Sequence, residues 1–563
     1  MRRRHLAHDS VSSLFAAAIA ALAAGTAMAS DLVARGTVFH DLDGDGVRDN
    51  AEPGIEGVKV SNGEDIVLTD ERGAFAIEID EDDDIVFVIK PRGYRTALDP
   101  MLNLPRFYHI HKPAGSPDDG FNYAGVAPTG PLPESIDFPL YEQAEGDSFR
   151  ALLFGDPQPY TEQQLAYYGR EIIDEVHAAD NHGADLVIVL GDLLGDYLEL
   201  YEPYNEANAR LGVPIYNIYG NHDVNFMSPT DKHGDETFER VFGPTTYAFQ
   251  HGPVHFVVLD NVRWDGFNGL RDDGFPQTGN YQGWLRDDQL GFLENLVATI
   301  PSDERIVLAM HIPLYDPGAT KHQTTQYRRV MEILSGHPHT VSFSAHTHRL
   351  WSQSMGSEQG YTTELGLPHM HFNAGATSGS WWRGPIDADG LPFAIMTDGT
   401  PNGYLVASFD EADYSLLWKV AGEPFERQMH AHLPDVIAES DAGGLPFTVN
   451  AYMARASEPV QWRLTTSRGD ALTRWSPMAH APRTPDPAYV DLFTRDREQG
   501  LSPEGRSLRD PNPCSHLFRA ALPSGLAVGG YVLETRFTDM WGQTHEGTRP
   551  FRVRPDAEHL FAK

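Results

Sequence analysis

Five short polar segments, each closing an apolar run, constrain this chain more than anything else in it. They read Gly155-Asp156-Pro157-Gln158, Gly191-Asp192, Gly220-Asn221-His222-Asp223, Met310-His311-Ile312-Pro313 and Ala345-His346-Thr347-His348. The runs before them, such as Ala151-Leu152-Leu153-Phe154 and Leu186-Val187-Ile188-Val189-Leu190, consist of Val, Ile, Leu or aromatic residues and read as buried strands. An α/β sheet presents its chemistry at the C-terminal ends of its strands, so five strand ends can bring these side chains to one point.

The pattern around them divides the chain. From about 150 to 410, strands such as Val254 to Leu259 and Ile306 to Met310 alternate with helical periodicity, as over Glu162 to Ala179. That alternation predicts layered α/β architecture. On either side the text is all-β. Phe75 to Ile79 and Ile85 to Ile89 are short strands in the first part; Phe447 to Tyr452, Val460 to Leu464 and Tyr531 to Arg536 are strands in the last. Pro- and Asp-rich loops separate the latter, as in a sandwich. A polar stretch from Tyr141 to Phe149 reads as a linker. The expected organisation is multidomain α+β: 1–29, 30–142, 143–425 and 426–563.

Residues 1–29 read as a secretory signal. Arg2, Arg3 and Arg4 form the charged start, Val11 to Gly25 the apolar run, and Ala27-Met28-Ala29 the cleavage site. The expected location is periplasmic or secreted, after cleavage near Ala29. No other stretch is apolar for long enough to span a membrane. Cys514 is the single cysteine, which excludes an intrachain disulfide.

The formal charge is -37. Removing 1–29 takes away three Arg and one Asp and leaves about -39. Such a surface opposes non-specific binding to nucleic acid or anionic lipid. The five segments offer oxygen and nitrogen donors and no thiolate, a set that suits Mn, Fe or Zn. Two divalent ions bring +4, and Asp156 and Asp192 return -2. Even with a bridging hydroxide the centre stays positive, so it can hold a phosphate inside an acidic protein.

In order and spacing, the five segments resemble the signature of the calcineurin-like metallophosphoesterases. The resemblance implies a central four-layer αββα sandwich, and the flanking text, with Thr69-Asp70-Glu71-Arg72-Gly73 and Ser515-His516-Leu517-Phe518, resembles the N-terminal and C-terminal β-sandwich domains of a bacterial three-domain subgroup of the family. It implies Asp156, Gln158 and His348 at a first metal, Asn221, His311 and His346 at a second, and Asp192 bridging both. His222 would contact the phosphate and protonate the leaving group, with Asp223 orienting it. The implied activity is hydrolysis of small phosphate mono- or diesters by attack of a metal-bridging hydroxide. Two departures stand out. Gln158 occupies a position where many members carry His. Gly195 lies where purple acid phosphatases carry a ligand tyrosine, which points away from that branch.

Asp41-Leu42-Asp43-Gly44-Asp45-Gly46-Val47-Arg48-Asp49-Asn50-Ala51-Glu52 matches the twelve-residue calcium loop, with ligands expected from Asp41, Asp43, Asp45, Val47, Asp49 and Glu52. A strand precedes it and Pro53-Gly54 follows, so it resembles the calcium-stabilised repeats of bacterial surface adhesins. That motivates an alternative: a calcium-stabilised surface-binding protein with a non-catalytic centre. Finally, Trp381, Trp382 and Arg383, in a glycine-rich segment after the last metal strand, are candidates for a substrate wall and a phosphate contact.

Overall fold

The computed structural model describes residues 32–117, 120–318 and 322–556. The signal-type segment lies outside the described residues. Among the described residues, no helix is long and apolar enough to cross a membrane.

The first part is two facing sheets. One orders Ala74–Ile79, Leu32–His40, Ile136–Glu142, Tyr94–Leu98 and Pro105–Arg106; the other orders Ile66–Leu68, Lys59–Ser61, Asp84–Ile89 and Tyr108–His111. Ala74–Ile79 alternates exposed and buried, as a strand with one wet face must. Asp84–Ile89 does not: five of its six residues are buried. Its second face lies against the next part of the molecule, where Phe87 meets Phe292 edge to face at 5.9 Å.

The expected linker is shorter than the sequence indicates. Ile136–Glu142 and Ser148–Phe154 are both strands, which leaves only 143–147 between them. Glu145 in that turn is fully buried, 2.5 Å from the Lys90 ammonium. A polar composition here signals a buried ion pair, not a solvated tether.

A second ion cluster locks the same interface. Lys112 Nζ donates to Glu236 and Glu239 at 2.6 Å each and lies 3.1 Å from Asp83, with Lys112 and Glu236 almost wholly buried. Asp83, His233 and Glu236 have metal-like spacing. The cation at their centre is Lys112 itself.

The central part carries two mixed sheets face to face. The first runs Ile215–Asn217, Leu186–Val189, Ser148–Phe154, Gly403–Asp410 and Asp413–Val420, its first three strands parallel. The second runs Tyr247–His251, Val254–Val258, Arg305–Ala309, Thr340–Ser344, His369–Ala374 and Leu350–Met355, with four parallel strands in the middle. Continuous apolar runs arise because both faces of each sheet are covered. Ala151, Leu153 and Ile188 join the core between the sheets. Leu152, Phe154, Val187 and Val189 join Tyr168, Ile172 and Val176 of the helical layer. Helices Asp287–Val297 and Tyr327–Leu334 cover the other sheet through Phe292, Leu296, Val330 and Met331. This is the four-layer arrangement the resemblance implies.

The last part is a pair of sheets around Val449, Leu464, Phe518, Leu533 and Phe551. It also holds a helix the strand pattern hides, Pro487–Gln499, with Asp486 accepting from the Ala488 N–H, Pro487 in the first turn, and Gly500 left-handed at the end. Trp541 stacks on Phe372 of the central sheet at 6.1 Å.

Candidate metal centre

All five polar segments leave the C-terminal ends of parallel strands, three from the first sheet and two from the second. The turns after those strands are tight. Asp156, Gln158, Asp192, Asp196, His346 and His348 all have positive φ, and so do Trp381 and Trp382. Left-handed backbone costs a bulky side chain on the order of 1 kcal/mol or more and persists where its surroundings hold it. Here it aims consecutive donors inward. Gly220 is required by closeness: a Cβ there would meet Asp192 N at 2.0 Å. The turn after Leu186–Val189 is packed on its neighbour in the same way, since a Cβ on Gly191 would meet the His311 ring at 2.5 Å.

The donors converge in two groups that share Asp192. His348 Nε2 lies 2.9 Å from Gln158 Oε1, and Gln158 Nε2 donates to Asp192 Oδ2 at 3.1 Å. His311 Nε2 lies 3.0 Å from Asn221 Oδ1 and 3.2 Å from Asp192 Oδ1. Asp192, His311 and His346 offer atoms within 4.8 Å of one another. The Nδ1 of His311 faces Leu190 O at 2.9 Å and that of His348 faces Gly379 O at 2.5 Å. In His348 this leaves Nε2 pointing into the cluster with a lone pair. Burial opposes charge on His311, but Asp192 and Asp156 outweigh it and raise it to about 9, so its Nε2 would give up a proton on binding a cation.

The residues fit divalent ions. Asp156 is fully buried, its Oδ2 accepts from the His346 N–H, and its Oδ1 has no hydrogen-bond partner, with His311 Nδ1 4.0 Å away. Burial, opposed by His311, pushes its carboxyl well above the usual range, so its ionised form needs a cation beside it. Burial also holds His348 down at about 4 and His346 well below its ordinary value, which leaves both as neutral donors.

His222 behaves differently. Burial opposes its charge, but Asp192 and Asp196 outweigh that and raise it to about 9. Its Nδ1 is 2.5 Å from Asp196 Oδ1, and the Arg271 guanidinium is 3.7 Å from the other Asp196 oxygen. Asp196, four residues after Asp192, is the partner that sequence reasoning missed; the repeated Gly-Asp in Gly191-Asp192-Leu193-Leu194-Gly195-Asp196 was its only signal.

Asp223 does not orient His222. Its carboxylate accepts from Leu193 N, Leu194 N, Gly220 N and the Tyr201 hydroxyl, and so pins two turns together. Neighbours on a sharp turn point apart, and adjacency in sequence misled.

Trp382 is not part of a substrate wall. It is 2 % exposed, its indole N–H donates to Pro157 O at 2.8 Å, and Tyr167 and Tyr168 flank it. It fixes the Asp156-Pro157-Gln158 turn from behind. Trp381 is half-buried and stacks on the His348 ring at 4.0 Å, at the edge of the donor cluster. Arg383 is half-buried close by and donates to Gly505 O at 2.7 Å. His322, which the sequence reading passed over, has Nδ1 2.9 Å from His346 Nε2. His369 and His371 are buried in the central sheet and bonded to Thr340, Ser342 and Ser344.

The place over Gly195 is taken by a tyrosine from another segment. A Cβ on residue 195 would lie 2.5 Å from the Tyr160 ring. That ring is 6.0 Å from the His222 ring. Gly195→Ala should therefore displace Tyr160 and destabilise the protein by about 1–3 kcal/mol in urea unfolding, as overpacking does. Unchanged stability would show that Tyr160 is not held there.

In the 41–52 loop, Asp41, Asp43 and Asp45 bring oxygens within 4.8 Å of one another. Asp41 accepts from Gly44 N at 2.6 Å and Gly46 N at 2.8 Å. Glu52 accepts from Leu42 N and Asp49 N, and Asp49 from Ala51 N. Asp49, Glu52 and Val47 stand outside the three-residue group.

Three family models match the chain: the N terminal of calcineurin-like phosphoesterase at 43–125, calcineurin-like phosphoesterase at 149–350, and the C terminal of calcineurin-like phosphoesterase at 371–545. The chain belongs to the calcineurin-like phosphoesterases and is a phosphoester hydrolase with N-terminal, catalytic and C-terminal parts. The family implies a binuclear divalent metal centre. No curated protein matches. Among solved structures, a dimetal phosphatase from Danio rerio is 15% identical over 49% of this chain and 96% of its own, with a TM-score of 0.32. A purple acid phosphatase from yellow lupin seeds is 11% identical over 64% of this chain and 66% of its own, also with a TM-score of 0.32. Both likenesses are too low to add to what the family models show.

Proposed function

We propose that this protein hydrolyses small phosphate mono- or diesters at the cluster centred on Asp192. The observation that carries this reading is the sharing of that carboxylate by the Gln158–His348 pair and the Asn221–His311 pair. Asp156, Gln158 and His348 would hold one divalent ion, Asn221, His311 and His346 another, and Asp192 both. Without a thiolate the set suits Mn, Fe or Zn. Bound ions supply Lewis-acid activation of water and neutralisation of phosphoryl charge there.

The chain's own groups do the rest. His222, charged at neutral pH and held by Asp196 through Nδ1, turns Nε2 toward the cluster and delivers a proton to the departing oxygen. Tyr160 and Trp381 border the opening. Protein loaded with each of Mn, Fe and Zn should release product from a panel of phosphate mono- and diesters. No turnover with any of them would sink this reading.

The 41–52 loop is read as a calcium clip for the N-terminal part, supported by the convergence of Asp41, Asp43 and Asp45. Alternate oxygens from one loop suit a hard cation. Adding calcium to chelator-treated protein should raise its melting temperature, and Asp43→Ala should remove the rise. An equal rise in the variant would refute the assignment.

A further inference from the structure

Three arginines gather around the segment that carries Trp381 and Trp382 at the edge of the metal-ligand cluster, and two of them come from the C-terminal part of the chain. Arg506 and Arg509 sit in the loop after helix Pro487–Gln499. That loop is built, not slack. The Asp496 carboxylate accepts from Ser502 N at 2.8 Å and Leu508 N at 2.9 Å. The buried Tyr489 donates its hydroxyl to Arg509 O at 2.8 Å. Arg506 O receives the Gly384 N–H at 2.9 Å, and Arg383 reaches back to Gly505 O. These bonds clamp the loop to the segment that carries Trp381.

The result is a concentration of like charge. Burial and the nearby Arg509 and Arg506 charges push Arg383 below its usual value. Its Nε is buried with no hydrogen-bond partner. Among the described residues none of the three guanidinium groups forms an ion pair, although acidic residues outnumber basic ones 80 to 43. The adjacent Asp510 turns away and lies 3.6 Å from Arg497 instead. Clustering cations without a carboxylate costs free energy that an anion would recover.

The cluster is also placed for substrate. The Arg509 guanidinium lies 5.1 Å over the Trp381 ring, which stacks 4.0 Å from His348. The Tyr160 ring is 6.0 Å from the His222 ring; burial, Asp196 and Asp192 oppose its ionisation, and the Arg383 and Arg509 charges favour it. Arg506 also lines a cavity of about 360 Å³ on the Trp382 side of this segment, with Gln164, Tyr167 and Gly384.

We propose that Arg383, Arg506 and Arg509 form a second phosphate-binding subsite beside the donor cluster, so that the substrate is a small molecule carrying two phosphate groups. The inference rests on the phosphoesterase reading above. Three planar donors match the oxygens and charge of a phosphate, which is more than a single carboxylate would use. The metal centre takes the phosphoester to be cleaved, and the arginines take the other.

The test compares fructose 1,6-bisphosphate with fructose 6-phosphate, using metal-loaded wild type, Arg509→Gln and the Arg383→Gln/Arg506→Gln/Arg509→Gln triple variant. In wild type, kcat/KM for the bisphosphate should exceed that for the monophosphate by about tenfold or more, the worth of one charge-assisted hydrogen bond. In Arg509→Gln that ratio should fall, chiefly through KM, and in the triple variant it should approach one. A wild-type ratio near one, or a ratio that the substitutions leave intact, overturns the subsite. Calorimetric titration of fructose 1,6-bisphosphate into chelator-treated protein separates this from the catalytic reading. Binding by wild type that the triple variant loses supports the subsite even if no phosphoester is turned over; equal binding by both, or by neither, refutes it. Circular dichroism melting confirms that each variant is folded, and the exposed Arg509 gives a single substitution that leaves the clamped backbone in place.

Discussion

Asp192→Ala should bring phosphoester turnover down to the protein-free blank and lower the bound metal together with it. Asp192 is 2 % exposed, and each of its oxygens faces a different donor pair. Removing it takes one negative charge from between two cation sites and strips a partner from Gln158 Nε2, His311 Nε2 and the His222 N–H. Although burial works to raise its pKa, His311 and His222 hold Asp192 well below the usual carboxylate range, so it is ionised throughout the working pH range. Asp192→Asn is the informative companion. It keeps the volume and an acceptor but loses the charge, so it should fold and still lose metal. Metal content by elemental analysis and turnover on the same sample decide the matter. An Asp192→Ala protein that keeps both would remove the carboxylate from the centre of the mechanism.

Asp196→Asn should lower kcat roughly a hundredfold with metal content intact, within the range that general acid catalysis supplies. The Asp196 carboxylate stabilises the charged imidazole of His222, so neutralising it must lower the His222 pKa from about 9. Activity that needs protonated His222 is lost as pH rises through that pKa. The alkaline limb of the rate profile should therefore move to lower pH. Substrates with poor leaving groups should suffer more than p-nitrophenyl phosphate, whose leaving group needs little help. Asp196 is a positioning residue, and these two readouts separate it from a merely structural one. An unmoved alkaline limb would refute the role. Asp223→Asn, in contrast, should act through stability, because Asp223 ties Leu193, Leu194, Gly220 and Tyr201 and never reaches His222.

The donor set was readable from sequence because strand, turn and ligand are contiguous there. An apolar run ends and Asp, Asn, Gln or His follows within a few residues, with left-handed backbone at Asp156, Gln158, Asp192, His346 and His348. Asp156, Gln158, Asp192, Asn221, His311, His346 and His348 all obey that rule, and the structure brings them together. What acts through a partner distant in sequence was hidden. Tyr160 occupies the space above Gly195 from another segment, and Arg509 reaches Trp381 from 128 positions away. Local pattern also failed where two neighbours diverge. Trp381 faces the donors and Trp382 the helical layer, because both have positive φ and the backbone between them swings the rings apart. The stretch 141–149 looked solvated because composition cannot tell a charged loop from a buried pair such as Lys90–Glu145.

The strand Asp84–Ile89, buried on both faces, makes the molecule indivisible at its first seam. Val38, Phe87 and Phe138 belong to the same apolar cluster as Ile188, Phe256 and Phe292. Cutting the chain near 143 would leave the catalytic half with a raw hydrophobic wall where Phe87 sat, and with Glu145 and Glu236 stripped of Lys90 and Lys112. The N-terminal part is therefore an inner lining of the enzyme that happens to be encoded first, and a minimal active fragment has to include it.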